Sequence, residues 1–184
     1  MADELIDILT PSGSLTGEVK LKSEAHKKGL WHASVHVWLF TPSGQILIQK
    51  RAHNKDTYPN LWDISVAGHL SAGDTPISAA LRETEEEIGL IISAEALLFL
   101  KINKNSKQPS QSILDNEFNH LFICCSPINL NQLKLQDEEV AETKLVTVTE
   151  FETLLKKNYS HFVPHGVEYY SYIISRISWA LNAK

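Results

Sequence analysis

The stretch of the chain that most restricts its fold runs from residue 68 to residue 90 and reads GHLSAGDTPISAALRETEEEIGL. Thr75 followed by Pro76 is typical of a helix start, and Gly89 is typical of a helix end. Four glutamates stand among the five residues 83–87, close to that end. Because like charges at helical spacing repel each other and acids in a last turn oppose the helix dipole, such a helix needs a positive partner.

The spacing of the residues around this helix separates two faces. At about 100° per residue, one narrow arc holds the residues predicted to face the core, which are Ile77, Leu81, Thr84 and Ile88. A separate, exposed arc holds three of the four glutamates: Glu83, Glu86 and Glu87. Mg²⁺ and similar cations prefer oxygen ligands and would relieve the repulsion between these carboxylates. The pattern therefore predicts a metal-binding helix, and the alternative is an acidic face in contact with water.

The overall composition is that of an ordinary globular protein. Of the 184 residues, 43% are hydrophobic and 21% are charged, which favours one domain with a substantial core. The net charge of −5 argues against general binding to nucleic acid or to an anionic membrane, although a local phosphate site stays open. No apolar run approaches the ~20 residues that span a bilayer.

Two further features bear on location. The start MADELIDILTPSGS is acidic and soon broken by Pro and Gly, so it does not resemble a secretion signal. Cys124 and Cys125 are adjacent in the apolar run HLFICC, and neighbouring cysteines rarely bridge each other. They are expected to be packing residues in a reducing compartment, with a catalytic thiol as the alternative. The protein is therefore predicted to be cytoplasmic.

Short strand patterns and a few helical patterns are interleaved along the chain. The segments 34–40 and 45–51 have strand composition and are joined by the turn TPSG, which predicts a hairpin. Further strands are predicted within 90–102, 118–125 and 142–148, and helices within 147–157 and 165–183. The polar stretch 103–112, NKNSKQPSQS, is predicted to be a surface loop. Together these patterns indicate a mixed α/β sandwich around one sheet.

The stretch 68–90 resembles the Nudix box, whose pattern is Gly, five residues, Glu, seven residues, and then Arg-Glu-apolar-any-Glu-Glu-any-Gly-apolar. The positions in register are Gly68, Arg82, Glu83, Glu86, Glu87, Gly89 and Leu90. Two positions depart from the pattern, because Asp74 replaces the first Glu and Thr84 replaces an aliphatic residue.

The resemblance implies a fold and a domain organisation. The fold is a Nudix-type α/β/α sandwich around a mixed sheet, and residues 1–184 form a single Nudix domain. Within that domain the expected parts are an N-terminal extension (1–31), a core (32–157) that contains the box, and a C-terminal helix (158–184).

The resemblance also implies roles for the residues of the box. Glu83, Glu86 and Glu87 would hold Mg²⁺ or Mn²⁺, which neutralises a diphosphate and orients water for attack on phosphorus. One of these glutamates, or a distant one, also serves as general base in many Nudix enzymes. Arg82 is expected to orient a glutamate through charge-assisted hydrogen bonds, and the alternative is a surface salt bridge of little energy.

A narrower resemblance, to Nudix proteins similar to isopentenyl-diphosphate isomerase, covers most of residues 26–125. It is carried by HASVHVWLF, by QKRAHNKDTYPNLWDISVAGHLSAGD and by DNEFNHLF. In the isomerases an Arg and a Lys after the second strand bind the diphosphate, and Arg51 and Lys55 match them. Composition alone would instead favour solvated surface charges at these two positions.

The isomerases also hold a metal among histidines and glutamates. His26, His32 and His69 match the histidine positions, with the first spacing one residue short. His32 and His69 are therefore candidate metal ligands, with structural histidines as the alternative. The glutamates of that site are expected on the helix of the box, near Glu85 and Glu87.

Two positions outside the box bear on the mechanism. Glu117 matches an isomerase glutamate near the metal and also the distant carboxylate that some Nudix hydrolases use, so it is a candidate catalytic residue. The isomerases carry a reactive cysteine immediately before the Gly-His of the box, and here that position is Ala67. Isomerising an allylic double bond requires a proton donor and a proton acceptor on opposite faces of the carbon chain, and a methyl group can be neither.

The sequence therefore predicts a Mg²⁺-dependent Nudix hydrolase that cleaves the diphosphate bond of a small metabolite such as a nucleoside or isoprenoid diphosphate. The alternatives are an isopentenyl-diphosphate isomerase with a relocated acid–base pair and a diphosphate-binding Nudix protein without turnover. Ala67 disfavours the first alternative, and the intact RETEEEIG disfavours the second. Tyr58, Trp38 and Trp62 are candidates to stack on a base or to line an isoprenoid pocket. The predicted partner is this small-molecule substrate rather than nucleic acid or a membrane, and monomer and homodimer both stay open.

Overall fold

The computed structural model of the protein describes residues 3–183. Its strands are β1 Leu5–Leu9, β2 Leu15–Leu21, β3 His32–Phe40, β4 Gln45–Arg51, β5 Trp62–Asp63, β6 Val66–His69, β7 Leu97–Ser110, β8 Ile113–Cys125 and β9 Val140–Thr147. Its helices are α1 Lys22–Lys28, α2 Pro76–Ile88, α3 Val148–Asn158 and α4 Val167–Asn182. Short 3₁₀ turns occupy Ala94–Ala96, Leu130–Gln132 and Tyr159–His161.

Strands β3 to β9 form one mixed sheet, in which β5, β4, β3, β8 and β7 lie side by side and β6 and β9 pair with β3 and β4. Strands β3 and β8 run parallel, whereas the other pairs in this sheet are antiparallel. The predicted hairpin of β3 and β4 is present, but its strands pair only at Phe40 and Ile46, next to the turn. The rest of β3 pairs with β6 and the rest of β4 with β9, so the two strands diverge away from the turn.

The sheet lies between two helical layers, and each layer has its own apolar core. Alternate residues of a strand point to opposite faces of the sheet. On one face, Trp38 of β3 packs with Phe151 of α3 and Tyr170 of α4. On the other face, Val37 belongs to the core that contains Ala80 of α2. The predicted α/β/α sandwich around a mixed sheet is therefore confirmed.

Helix α2 begins and ends where the sequence predicts. The side chain of Thr75 accepts a hydrogen bond of 3.1 Å from a backbone N–H of the first turn, and Gly89 ends the helix with a φ of 67°. The predicted core face is wrong at Ile77, which is 45% exposed. The small residues Ala79 and Ala80, which are fully buried, let this side of the helix approach the sheet closely. As a result, Glu83 and Glu87 are buried instead of lying on an exposed arc.

The segment 103–112, predicted to be a loop, is strand for most of its length. It forms the outer end of β7, which pairs antiparallel with β8. Because β7 is an edge strand whose outer residues alternate between partly buried and exposed, no apolar period marks it in the sequence. An edge position also tolerates Pro109, which has no N–H to donate. Pairing with β8, not composition, makes this segment a strand.

The residues before β3 form a small unit beside the sheet. Strands β1 and β2 are an antiparallel pair, and α1 follows directly. Ile6 of β1 bridges Ser71 in the loop before α2, and Leu9 bridges Trp31. This packing brings His26 of α1 against the sheet, where its ring lies 5.3 Å from that of His69. Within residues 3–183, no helix is long and apolar enough to cross a bilayer.

Candidate active site

A cavity of about 300 Å³ lies between α2, β6 and the ends of β4 and β8, and most of its lining is polar. The sequence-predicted residues that line it are Arg51, Lys55, His69, Arg82, Glu83, Glu86, Glu87 and Glu117. His26 lines it as well, whereas His32 is fully buried and lies outside the lining. The fold thus brings candidate residues from before, within and after the box to one cavity.

The closest packing in the site is between Gly68 of β6 and Glu83 of α2. A side chain at position 68 would overlap the Glu83 carboxylate, so glycine is required there. Arg82 Nη1 donates to Glu83 Oε1 at 2.7 Å and to Glu86 Oε2 at 3.1 Å, while its Nη2 donates to the carbonyl of His69 at 3.0 Å. The guanidinium therefore ties α2 to β6 and orients two glutamates of the box.

The two departures from the box pattern are accommodated locally. Asp74 Oδ2 accepts a hydrogen bond of 3.1 Å from Arg82 Nη2, so the shorter carboxylate still reaches the guanidinium. The hydroxyl of Thr84 donates to the carbonyl of Ala80 at 2.6 Å, which satisfies its polar group inside the core.

Burial disfavours the charged forms of two glutamates of α2. Glu87 is 3% exposed, and its Oε2 accepts a hydrogen bond of 3.1 Å from Gln49 Nε2. Burial and the neighbouring Glu83 raise the pKa of Glu87 well above its usual value. Burial also raises the pKa of Glu83, although Arg82 opposes that shift. A cation between the two carboxylates would favour their charged forms, as expected of a metal site.

A second set of side chains converges around His69 of β6, and we call it the histidine–carboxylate cluster. The rings of His26, His32 and His69 have centroids 5.0 to 5.3 Å apart. Glu117 Oε1 lies 3.2 Å from His69 Nε2 and 3.7 Å from His32 Nε2. Asp115 Oδ1 lies 3.9 Å from the Nε2 atoms of both His26 and His32. Candidate ligand atoms from four different elements therefore form two groups that share His32, and within each group these atoms lie within 4.8 Å of one another.

The cluster also has the protonation state and the unpaired atoms that a metal site requires. Burial lowers the pKa of His26 to about 3, and burial lowers the pKa of His32 as well, so both rings favour the neutral form that binds metal. Among the described residues, His69 Nε2 and Asp115 Oδ1 are buried without a hydrogen-bond partner. The Glu117 oxygen is close to His69 Nε2 but not aligned for a hydrogen bond. These side chains therefore fit a divalent cation.

The carboxylates of this cluster do not come from where the sequence predicted. Glu85 of α2 is exposed, and Glu87 lies with the other box glutamates, so the expectation that they serve the histidines is wrong. Asp115 and Glu117 of β8 take that place. The signal for Asp115 was available, because two residues separated by one lie on the same face of a strand.

Arg51 and Lys55 line the cavity, but each cation has a carboxylate partner. Arg51 Nη1 donates to Asp63 Oδ2 at 3.1 Å. Lys55 Nζ donates to Glu139, in the loop before β9. Neither Asp63 nor Glu139 was identified from the sequence, because the pairing depends on β4 lying beside β5 and β9.

Asp63 is a buried anion held by groups from three parts of the chain. His165 Nε2 lies 2.7 Å from Asp63 Oδ1, and the backbone N–H of Ile64 donates to the same oxygen at 2.8 Å. Burial opposes ionisation of this carboxyl, but His165 and Arg51 together hold the pKa of Asp63 well below its usual range. Nothing in the sequence linked His165, more than a hundred positions away, to this strand.

The three aromatic residues predicted to contact the organic part of a substrate lie in different places. Tyr58 lines the cavity from a backbone with a φ of 50°, which is uncommon for a residue other than glycine. Trp38 is fully buried in the core, so the prediction that it contacts substrate is wrong. Trp62 packs against the same core and lies outside the cavity lining.

Neither cysteine replaces the thiol that Ala67 lacks. Ala67 lines the cavity, whereas Cys124 and Cys125 lie on β8 outside the lining. Burial raises the pKa of Cys124 to about 11, so its thiol stays protonated at neutral pH. The packing role predicted for this pair agrees with the burial of Cys124.

An α/β/α sandwich with a glutamate-bearing helix against a Gly-His strand defines the Nudix class of proteins. A family model described as the NUDIX domain matches residues 30–166. An uncharacterized Nudix hydrolase from Listeria monocytogenes is 33% identical over 159 residues, which cover 86% of this chain and 88% of the relative. The chain therefore belongs to the Nudix hydrolase family.

The chain is also similar to relatives that carry two different names. Nudix hydrolase 3 from Arabidopsis thaliana is 40% identical over 172 residues, which cover 91% of this chain but only 22% of the relative's own length. An isopentenyl-diphosphate Delta-isomerase from Streptomyces griseus is 32% identical over 148 residues, covering 79% of this chain and 72% of the relative. The resemblance to the isomerase branch is thus confirmed.

A solved structure supports the fold. A crystal structure of a protein from Deinococcus radiodurans has a TM-score of 0.66 and 22% sequence identity, and the match covers 95% of this chain and 99% of that one. The overall arrangement of sheet and helices is therefore shared over nearly the whole length of both chains.

Proposed function

We propose that this protein is a Mg²⁺-dependent hydrolase that cleaves the phosphoanhydride bond of a small organic diphosphate. The observation that carries the proposal is the burial of Glu83 and Glu87 at the wall of a cavity that Arg51 and Lys55 also line. Carboxylates for a metal and cations for phosphate are the two sets of groups that such a reaction needs.

The residues of the box would have two different roles, metal binding and orientation of the metal ligands. Glu83, Glu86 and Glu87 would hold Mg²⁺ or Mn²⁺, and Arg82 would keep Glu83 and Glu86 in the required orientation. When bound, the ion supplies positive charge for the phosphate oxygens and activates water. Lys55 can leave Glu139 for a phosphate oxygen at small cost, because both positions pair its ammonium with an anion.

The histidine–carboxylate cluster would hold a second divalent cation. His26, His32, His69 and Asp115 would bind it, and Glu117 would either complete this set or act as general base. Asn119 Nδ2 donates to Glu117 Oε2 at 2.8 Å and so fixes one carboxylate oxygen, while Oε1 faces the histidines. A reducing, cytoplasmic location belongs to the same proposal.

The proposal is tested by incubating the purified protein with a panel of nucleoside and isoprenyl diphosphates, with Mg²⁺ or with EDTA. Released phosphate and product mass are measured together. We expect phosphate release from part of the panel with Mg²⁺ and none with EDTA. Saturable binding of a diphosphate without any release of phosphate would instead establish a binding protein.

Lys55→Ala is expected to raise KM by about tenfold and to change kcat much less, because a charged hydrogen bond lost from both ground and transition states removes uniform binding. Steady-state kinetics on the best substrate of the panel measure both constants. Lys157→Ala, at an exposed position of α3, is the matched control. A KM equal to that of the wild type would show that Lys55 pairs with Glu139 and does not bind the substrate.

A further inference from the structure

Two imidazoles that have no role in the metal or diphosphate sites face each other in the cavity. His36 of β3 lies directly across from Ala67 of β6 in the antiparallel pair. His165, just before α4, packs edge-on against it with ring centroids 5.3 Å apart. Both residues line the cavity.

The hydrogen bonds of His36 determine which ring nitrogen carries its proton. Trp38 Nε1, which can only donate, lies 3.1 Å from the hydroxyl oxygen of Tyr169. The buried hydroxyl proton of Tyr169 therefore needs its own acceptor, and His36 Nδ1 at 2.8 Å provides it. Burial lowers the pKa of His36 to about 3, so the ring is neutral. The remaining nitrogen, His36 Nε2, then carries hydrogen and is a donor.

His165 presents the complementary group. The ionised carboxylate of Asp63 can only accept, so His165 Nε2 donates to it across 2.7 Å. When His165 carries a single ring proton, on Nε2, its other nitrogen, Nδ1, is an acceptor. Within residues 3–183, neither His36 Nε2 nor His165 Nδ1 has a hydrogen-bond partner. A donor and an acceptor are thus available side by side.

We propose that His36 and His165, together with Ala67 across from His36 on β6, form a subsite that binds a hydroxyl group on the organic part of the substrate. A hydroxyl both donates and accepts, so it pairs with this arrangement, whereas a hydrocarbon would leave both nitrogens unpaired. The substrate class is then a hydroxyl-bearing organic diphosphate and not a plain isoprenyl diphosphate. This inference rests on the proposed function, which places the diphosphate at Arg51 and Lys55.

Asp63 sets the distance between the two parts of such a substrate. One of its carboxylate oxygens accepts from Arg51 at 3.1 Å, and the other pairs with His165 at 2.7 Å. A phosphate bound to Arg51 would therefore lie next to the imidazole of His165. The substrate hydroxyl that His165 binds must then be only a few bonds away from the diphosphate. The side chain of Ala67 leaves room for the carbon chain in between.

The test uses two diphosphates that differ in one hydroxyl: dimethylallyl diphosphate and (E)-4-hydroxy-3-methylbut-2-enyl diphosphate. We expect wild-type kcat/KM with Mg²⁺ at pH 8 to be at least about tenfold higher for the hydroxylated compound, since a site built for a hydroxyl discriminates strongly against its absence. In His165→Phe and in His36→Phe this ratio should fall to within about twofold of one. His161→Phe, at an exposed position, is the control and should keep the wild-type ratio.

The outcomes separate this inference from the proposed function. Equal kcat/KM for both compounds in the wild type, or a ratio that both Phe variants preserve, would overturn the subsite while leaving the hydrolase intact. If neither compound is hydrolysed, the same pair is compared by calorimetry with Ca²⁺. Tighter wild-type binding of the hydroxylated compound, lost in the Phe variants, then supports the subsite without turnover, and equal or undetectable binding overturns it. Melting temperatures identify a misfolded variant, and the Leu variant at the same position, which likewise has neither a donor nor an acceptor, replaces it.

Discussion

Replacing Glu87 by Gln is expected to lower kcat by about 10²–10³-fold while the protein stays folded. The amide has the shape of the carboxylate but no charge, so the metal ion that we propose would lose an anionic oxygen at the cavity wall. Because Glu87 is 3% exposed and already bonded to Gln49, the variant can keep its hydrogen bond and its packing. Glu83→Gln should behave in the same way. Turnover and circular dichroism, measured on the same preparations, check both statements.

Glu85→Gln is the matched control on the same helix. Its side chain is exposed and lies outside the cavity lining, so kcat should be within about twofold of the wild type, as is usual for a surface substitution. Near-normal turnover of both Glu83→Gln and Glu87→Gln would show that the box helix does not hold the catalytic metal. A loss of turnover in Glu85→Gln would contradict the assignment of faces on α2.

The metal-free protein gives a second readout for Glu87. Its folded-state pKa lies above the unfolded value of 4.5, so the carboxylate increasingly destabilises the fold as pH rises above 4.5. In EDTA at pH 7, Glu87→Gln should therefore melt no lower than the wild type. Added Mg²⁺ should raise the melting temperature of the wild type more than that of the variant. An equal rise in both proteins would place the ion elsewhere.

Isomerisation of isopentenyl diphosphate is expected to be absent. An isomerase needs a proton donor and a proton acceptor on opposite faces of the carbon chain, and Ala67 occupies the position where the resemblance to the isomerases implies a thiol. Cys124 and Cys125 lie outside the cavity and cannot replace it. His36 is close to Ala67, but burial lowers its pKa to about 3, so at pH 7 the ring is neutral and the imidazolium that could donate a proton is not populated.

Incubation in deuterated water provides the measurement, because isomerisation would place deuterium in the carbon chain. Mass spectrometry of recovered isopentenyl and dimethylallyl diphosphate should show none above the background without protein. The Streptomyces griseus isomerase, assayed in parallel, shows that the assay detects exchange. Deuterium incorporated at a catalytic rate would contradict this prediction and direct attention to His36 and His165 as the acid–base pair.

The sequence alone determined the box, the helix that carries it and the class of fold. The N-cap at Thr75 and the glycine at position 89 predict both ends of α2 because caps depend on local backbone and side-chain chemistry. Strand segments within β3, β4, β7, β8 and β9 and the helices α3 and α4 were likewise readable from an apolar period, strand composition or a cap, whereas β1, β2, β5, β6 and α1 were not predicted. The long spaced pattern of the box then identified the family.

The tertiary structure alone decided which groups meet. Helical period locates residues around an axis but does not say which side packs on the sheet, so Ile77 is exposed and Glu83 is buried. The edge strand within 103–112 depends on pairing with β8, which composition does not encode. His36 and His165 are far apart in the chain and meet only because α4 packs on the sheet next to β3. Contacts of this kind form when distant segments of the chain pack around a shared core, and no local sequence pattern predicts them.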